Sequence, residues 1–275
     1  MVGRDVKLEY DKTETEFGEP ILKVDHLNYT DKFGTKKLDD LSFSLREGEV
    51  LGIAGIEGNG QKEAMEILTG NRKAESGVIA YKGEDLCRKS IRDNRKLGIA
   101  HVPEDRNLNG SAPEMSVRDN LIAASLDKLS KNKILDPKAI EESCSGCVRD
   151  FKVKTASLEI SIKSLSGGNI QKAIVAREFT AGADVIVLNQ PTRGVDVGAM
   201  EFIHKKILEM RDEKKSLILV SADLAELKAL SDRIIVFHQG KIAGVLSDVP
   251  SVTEEELGLY MLGLKSDSEE KLKEA

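Results

Sequence analysis

The chain has 275 residues and a formal net charge of −6, with 40% hydrophobic and 32% charged residues, which supports a sizeable core in one large or two modest domains. The acidic balance gives no reason to expect nucleic acid or an anionic membrane as a partner. No apolar run approaches the roughly 18 residues of a spanning helix, and the charged N-terminus has no apolar block typical of a signal peptide.

The N-terminal part predicts a linker followed by strands. Residues 1–19 are polar and predict a linker, whereas the alternating segments 21–27 and 41–45 predict antiparallel strands. The apolar run EVLGIAGI, residues 49–56, is typical of a strand buried on both faces. A helix with a C-terminal glycine is predicted next from Ala64, Met65, Ile67, Leu68 and Gly70.

The middle of the chain predicts two more strands and then a helical insert. The strands are at 77–81 and 96–103, and residues from about 111 to 165 are predicted to be all-helical. Helix starts inside the insert are marked by a capping box, Ser116 with Asp119, and by an Asp-Pro pair, Asp136 with Pro137.

Strands and helices alternate in the C-terminal part. Apolar strands are predicted at 185–189 and 216–221, a hairpin at 233–246, and a solvated charged tail at 265–275. This order predicts an α/β fold with a mostly parallel sheet covered on both faces.

Three cysteines, Cys87, Cys144 and Cys147, do not make a disulfide framework. Cys144 and Cys147 form one C-x-x-C, the pattern of a redox pair or half a zinc site, but no second pair of ligands follows. We expect two surface or half-buried thiols and no metal.

A glycine-rich stretch lies between the buried strand and the helix, where a phosphate-binding loop belongs. The pattern G-x-x-x-x-G-K-[ST] is matched at Gly55 and Gly60, but Gln61 and Lys62 stand at the lysine and hydroxyl positions. The candidate nucleotide-binding residues are Gly55, Gly58, Asn59, Gly60, Gln61, Lys62 and Glu63.

A second stretch, LSGGNIQK, opens another helix. Two glycines before a helix expose backbone N–H groups and the positive end of the dipole to an anion. Its candidate residues are Leu165, Ser166, Gly167, Gly168 and Gln171, and a later strand is followed by Gln190 and PTRGVD, which includes Asp196.

These motifs resemble an ATP-binding cassette (ABC) ATPase over residues 20–262. PEDR (103–106), QPTRGVDVGA (190–199) and SADLAEL (221–227) resemble cassettes of simple-sugar and nucleoside importers, of the ribose, galactose and purine-nucleoside type. In that family two cassettes lie in tandem, and MVGRDV is similar to the linker between them. The resemblance implies the C-terminal, second cassette, with a nucleotide-binding domain over 20–264; a natural single-cassette subunit is the alternative.

The resemblance also implies the architecture and partners. The expected fold is a P-loop NTPase cassette with a mostly parallel core, an N-terminal antiparallel β subdomain and a helical subdomain. Cassettes of the family pair head to tail, so that ATP lies between the glycine loop of one and the LSGG of the other. They bind membrane-spanning permease subunits, the helical insert and PEDR region facing them, on the cytoplasmic face of the cell membrane.

The cassette's own half-site, residues 55–63 with Glu104, Asn189, Gln190 and Ala222, departs from the family pattern. Asn189 replaces the aspartate near magnesium, Gln190 replaces the general base, Glu104 stands at the loop-glutamine position, and Ala222 at the switch histidine. Lys62 cannot ligate magnesium, and a turn of about 100° along the helix should point it away from the phosphates. We expect ATP binding with weak or absent Mg²⁺, and little hydrolysis.

The signature half-site, residues 165–171 with Asp196, matches the family and implies that it completes the partner cassette's ATP site. Because ATP is expected to bind weakly at its own half-site, the isolated chain is predicted to be a monomer. Tyr29 and Phe33 are candidates for stacking on adenine. Two alternatives stay open: a structural or regulatory pseudo-ATPase, and a soluble ABC protein outside transport.

Overall fold

The computed structural model describes Tyr10, residues 12–13 and residues 16–275. The predicted linker therefore lies partly outside the described residues, as does MVGRDV. Its described residues lie against the body of the chain: Tyr10 Oη is 2.9 Å from His204 Nδ1, and Lys12 Nζ donates to the Ser231 carbonyl at 2.5 Å.

The N-terminal alternating segments form an antiparallel sheet, as predicted. Its strand order is β2-β1-β4-β5. The strands are β1 (Pro20–Thr30), β2 (Lys36–Arg46), β4 (Ser76–Tyr81) and β5 (Glu84–Asp85).

The larger sheet has the order β12-β11-β3-β10-β9-β6, and its neighbours are parallel except for the β11–β12 hairpin. Its strands are β3 (Val50–Ala54), β6 (Ile99–Val102), β9 (Val185–Asn189), β10 (Ser216–Val220), β11 (Arg233–His238) and β12 (Lys241–Leu246). Every residue of β3, β9 and β10 is buried, which confirms the prediction from the apolar runs.

Helices cover this sheet on both faces. They are α1 (Gln61–Leu68), α2 (Ile91–Leu97), α3 (Val117–Ile122), α4 (Pro137–Asp150), α5 (Gly167–Thr180), α6 (Val197–Asp212), α7 (Leu224–Leu230), α8 (Glu254–Met261) and α9 (Glu269–Leu272). The apolar residues of α1 join one core cluster with the antiparallel sheet, and α5, α6 and the helical insert belong to another. Within the described residues, no helix is long and apolar enough to cross a bilayer.

The insert is only partly helical, so the prediction of an all-helical segment is wrong. The capping box of Ser116 with Asp119 begins α3, and the Asp136 carboxylate caps α4, both as predicted. Between them, however, β7 (Ser130–Lys131) and β8 (Ile134–Leu135) form a short hairpin. Two residues in its turn have positive φ, Asn132 at 53° and Lys133 at 65°, and such turns join antiparallel strands rather than helices.

The charged C-terminal segment is anchored rather than freely solvated. The Ala275 carbonyl accepts from the Ser44 N–H at 3.1 Å. The Asp267 carboxylate accepts from Val245 N–H at 2.8 Å and from Tyr260 Oη at 2.7 Å. The charged pattern predicted the exposed side chains, but the bonds to Ser44 and Val245 join this segment to strands that lie earlier in the sequence.

Candidate nucleotide site

A cavity of about 350 Å³ opens where β3, β9 and β10 end. Parallel strands bring their carboxyl ends to one edge of the sheet, and this edge is where α/β proteins bind ligands. The predicted site residues that line it are Gly55, Gly58, Gln61, Lys62, Glu104, Asn189, Gln190 and Ala222. Asn59, Gly60 and Glu63 belong to the same loop and helix start but do not line the cavity.

The β11–β12 hairpin fixes the glycine loop in place. Asn59 Oδ1 accepts from the Gln239 N–H, and the Asn59 carbonyl accepts from the Gly240 N–H, both at 3.1 Å. Gly60 has φ of 104°, and a Cβ there would lie 2.4 Å from the Lys37 carbonyl oxygen. The tight packing requires glycine at position 60.

Gln61 is turned into the loop rather than toward the cavity centre. Its side chain is 7% exposed, and Nε2 donates to the Ile56 carbonyl at 3.2 Å. A Cβ at Gly55 would overlap this amide. Gln61 therefore occupies the space beneath the loop, and its amide bonds to the loop's own backbone.

Lys62 is exposed and is one of the residues that line the cavity. Gln61 and Lys62, the first two residues of α1, therefore both border the cavity. The direction in which the Lys62 ammonium points stays a prediction.

Two neutral side chains, Asn189 and Gln190, stand at the end of β9, at the positions to which the resemblance assigns a metal ligand and a general base. Asn189 is buried at the end of β9 and lines the cavity. Gln190 has φ of 52°, and its Oε1 accepts from the Ala222 N–H at 3.1 Å. An amide does not take up a proton near neutral pH, so neither side chain serves as a general base.

Glu104 also lines the cavity, but its carboxylate forms an ion pair with Arg193. Arg193 belongs to the segment between β9 and α6, so the pair ties the PEDR stretch to the end of β9.

The signature half-site faces elsewhere, since its residues do not line this cavity. Ser166 is exposed at the N-cap of α5, where its Oγ accepts from Asn169 Nδ2 at 2.9 Å. Asp196 caps α6 by accepting from the Ala199 N–H at 3.0 Å. Leu165, Gly167 and Gly168 complete the turn into α5, with Gly168 packed against the Asp196 carboxylate.

Gln171 has an internal role. It is buried, and its Nε2 donates to the Pro191 carbonyl at 2.7 Å. It therefore fixes α5 against the segment after β9 rather than presenting its amide to a partner.

A model of the ABC transporter family matches residues 38–193, more than half of the chain. The chain belongs to the ABC transporter family. It is 39% identical over 265 residues to the nucleoside import ATP-binding protein NupA of Lactococcus lactis, covering 96% of this chain and 52% of NupA. It is also 39% identical over 268 residues to the glucose import ATP-binding protein TsgD13 of Haloferax volcanii, covering 96% of this chain and 48% of TsgD13. The chain spans about half the length of these relatives.

Solved structures show the same fold. The dimeric structure of MJ0796, a bacterial ABC transporter cassette, has a TM-score of 0.74 at 19% identity, covering 82% of this chain and 98% of that one. CbiO1 of Clostridium perfringens, described as part of an ABC transporter complex, has a TM-score of 0.70 at 24% identity, covering 86% and 92%. The predicted P-loop NTPase cassette, with a mostly parallel core and an antiparallel subdomain, is therefore confirmed.

Two positions of this cavity where the family pattern places magnesium ligands do not fit the metal, which ABC cassettes commonly use with ATP. The hydroxyl position holds the ammonium of Lys62, and the β9 carboxylate position holds the amide of Asn189. The lining carboxylates of Glu104 and Asp223 are held by Arg193 and by the N-terminus of α7. Magnesium requires oxygen ligands, commonly carboxylates, in nearly octahedral geometry. No step of a mechanism is therefore assigned to the metal at this half-site.

A buried polar network around His204, beneath the cavity of the ABC cassette, was not predicted from the sequence. His204 Nε2 lies 2.6 Å from Glu226 Oε1, and Thr192 Oγ1 donates to the same oxygen at 2.6 Å. Burial raises the pKa of Glu226, but hydrogen bonds from His204, Ser221 and Thr192 outweigh it and lower that pKa. His204 lies on the buried face of α6 with Ala199, Ile203 and Ile207, and that spacing was the available signal.

The adenine candidates differ in their surroundings. Tyr29 is covered by the Arg72 guanidinium, 4.7 Å from its ring centre, whereas Phe33 is 81% exposed in the turn after β1. Phe33 is thus the more available of the two rings, and adenine stacking stays a prediction.

The three cysteines are buried, so the expectation of surface or half-buried thiols is wrong for Cys144 and Cys147. In the part of the chain that the structure describes, no group of three or more His, Cys, Asp or Glu is placed to hold a metal.

We predict that the native thiols react slowly. Burial raises the pKa of Cys87 and of Cys144 to about 11 each, and also raises the pKa of Cys147. Since the thiolate is the reactive form, a disulfide reagent at pH 8 should modify native protein much more slowly than protein unfolded in guanidinium. Rapid modification of one or more thiols in the native state would contradict the buried arrangement.

Proposed function

We propose that this chain is the nucleotide-binding cassette of an ATP-driven importer for simple sugars or nucleosides. The observation that carries the proposal is the match over 96% of the chain to ATP-binding proteins of nucleoside and glucose import. Such a cassette needs a half-site for its own nucleotide and a second half-site for its partner's nucleotide. The cavity beneath the glycine loop supports the first, and the separate, exposed Ser166 supports the second.

Within the importer, we infer that this chain is the second of two cassettes. It spans about half of each of these relatives, so the other half is the natural head-to-tail partner. Its own half-site binds ATP and hydrolyses it poorly, because Asn189 and Gln190 provide no base. Its signature half-site completes the ATP site of the first cassette.

A second candidate is a regulatory pseudo-ATPase cassette. The specific observation in its favour is Lys62, a cation lining the cavity at the position of a metal-binding hydroxyl. The two candidates differ in whether the signature half-site takes part in turnover.

The proposed membrane partner is a pair of permease subunits, contacted from the cytoplasmic face. The Arg106 guanidinium bonds within the cassette itself, because it donates to the carbonyls of Arg193 and Gly194 at 2.8 and 3.1 Å. Leu108 and Met115 lie in the following segment and remain exposed, 79% and 51% respectively. We propose that this segment contacts the permease through its two exposed apolar side chains.

Sedimentation velocity tests the proposed pairing. The isolated chain should remain monomeric with or without Mg-ATP, and form a heterodimer when the first cassette of its full-length protein is added with ATP. A stable ATP-dependent homodimer would contradict the assignment of a weak own half-site. Uptake of labelled sugars and nucleosides by cells with and without the gene tests import itself.

A further inference from the structure

Lys62 is a cation in the lining of the cavity. Arg193 also lines the cavity, but it is paired with Glu104. Among the described residues, Lys62 has no ion-pair or hydrogen-bond partner, and this exposed residue lines the cavity from the first turn of α1. Gln61 stands at the usual phosphate-lysine position, and its Nε2 donates a hydrogen bond to the Ile56 carbonyl at 3.2 Å.

The remaining charges around the cavity do not neutralise Lys62 by direct contact. Asp223 lines it, but the carboxylate caps α7 by accepting from the N–H groups of Ala225 and Glu226 at 2.9 and 3.1 Å. Glu57 lines the exposed rim of the loop. At the end of β9, where a carboxylate would hold magnesium and also pair with a nearby ammonium, Asn189 is neutral.

We propose that the Lys62 ammonium takes the place of magnesium, so that this half-site selects metal-free nucleoside triphosphate. The inference rests on the proposed nucleotide function of the cavity. A triphosphate without metal carries more negative charge for Lys62 to neutralise. An ammonium and a divalent cation at the same place repel each other, and the repulsion is strong in a partly dehydrated site. Added magnesium should therefore weaken binding instead of supporting it.

The test is calorimetric binding of the β,γ-imido analogue of ATP to the chain at constant ionic strength, in EDTA and in excess Mg²⁺. Wild type should bind at least about threefold more tightly in EDTA. Lys62→Ser restores a hydroxyl and removes the cation, and should reverse this preference. Lys62→Met should lose at least about tenfold in affinity in EDTA.

Lys73→Met is the matched control, since Lys73 is an exposed lysine outside the cavity whose Nζ donates to the Lys89 carbonyl at 3.1 Å. It should bind like wild type in both conditions. Equal or tighter wild-type binding in Mg²⁺, or full affinity of Lys62→Met in EDTA, would overturn the inference and leave the nucleotide site standing. If wild type binds in neither condition, the inference and the proposed nucleotide function both fail.

Discussion

The Glu178→Gln variant should have a free energy of unfolding about 3 kcal/mol below that of wild type, because it leaves two arginines without their shared anion. Glu178 is fully buried. Its carboxylate accepts from Arg95 Nη1 and Nη2 at 2.9 and 3.0 Å, and from Arg177 Nε at 2.8 Å. Arg177 is itself buried and also donates to the Gly110 carbonyl at 2.9 Å, so the network joins α2 and α5 to the turn before the helical insert.

The same carboxylate predicts a pH dependence. Burial acts to raise the pKa of Glu178, but the charges and hydrogen bonds of Arg177 and Arg95 outweigh it and lower the pKa. A carboxylate with a lowered folded pKa stabilises the fold above its unfolded pKa, about 4.3, and that contribution is lost as the pH falls further. Wild type should therefore lose more stability between pH 6 and pH 3 than Glu178→Gln.

Urea unfolding followed by circular dichroism measures both effects. Glu159→Gln is the control: its carboxylate also pairs with an arginine, Arg118, at 2.6 Å, but it is 62% exposed. Such a surface pair contributes about 0–1 kcal/mol. If the two variants lost equal stability, burial of the Glu178 network would not be the reason for its contribution.

Local patterns explain why much of the fold could be predicted from the sequence. The buried strand β9 follows from a short apolar run, and the start of α3 follows from Ser116 and Asp119 three residues apart. Both features depend on neighbours in the chain. The hairpin of β7 and β8 depends on the left-handed backbone of Asn132 and Lys133, which the helix-like composition of the insert concealed.

The buried polar networks could not be predicted, because their partners are far apart in sequence. His204 and Glu226 belong to different helices, and Arg95 reaches Glu178 only after α2 and α5 have packed on the sheet. The position of the Gln61 amide is a similar case, because it follows from a contact with the Ile56 carbonyl within the folded loop.

In the assembled full-length ATP-binding protein, Ser166→Arg should lower steady-state ATP turnover by at least about 100-fold. Ser166 is exposed at the start of α5, beside two glycines whose backbone N–H groups can meet a phosphate. Under the proposed function, an arginine there would place a long side chain where the nucleotide of the first cassette approaches. Ser164→Arg is the matched control, because Ser164 is exposed but precedes the helix that forms the signature half-site.

Gln190→Ala should change the same turnover by less than about threefold, because the replaced amide is not a general base. Its contact with the Ala222 N–H at 3.1 Å joins two segments at the edge of the cavity, so a small effect of positioning is expected. The contrast between the two variants follows from the separation of the two half-sites on the cassette. If Gln190→Ala reduced turnover as much as Ser166→Arg, the cavity beneath the glycine loop would be catalytic, and the proposed division of roles would be wrong.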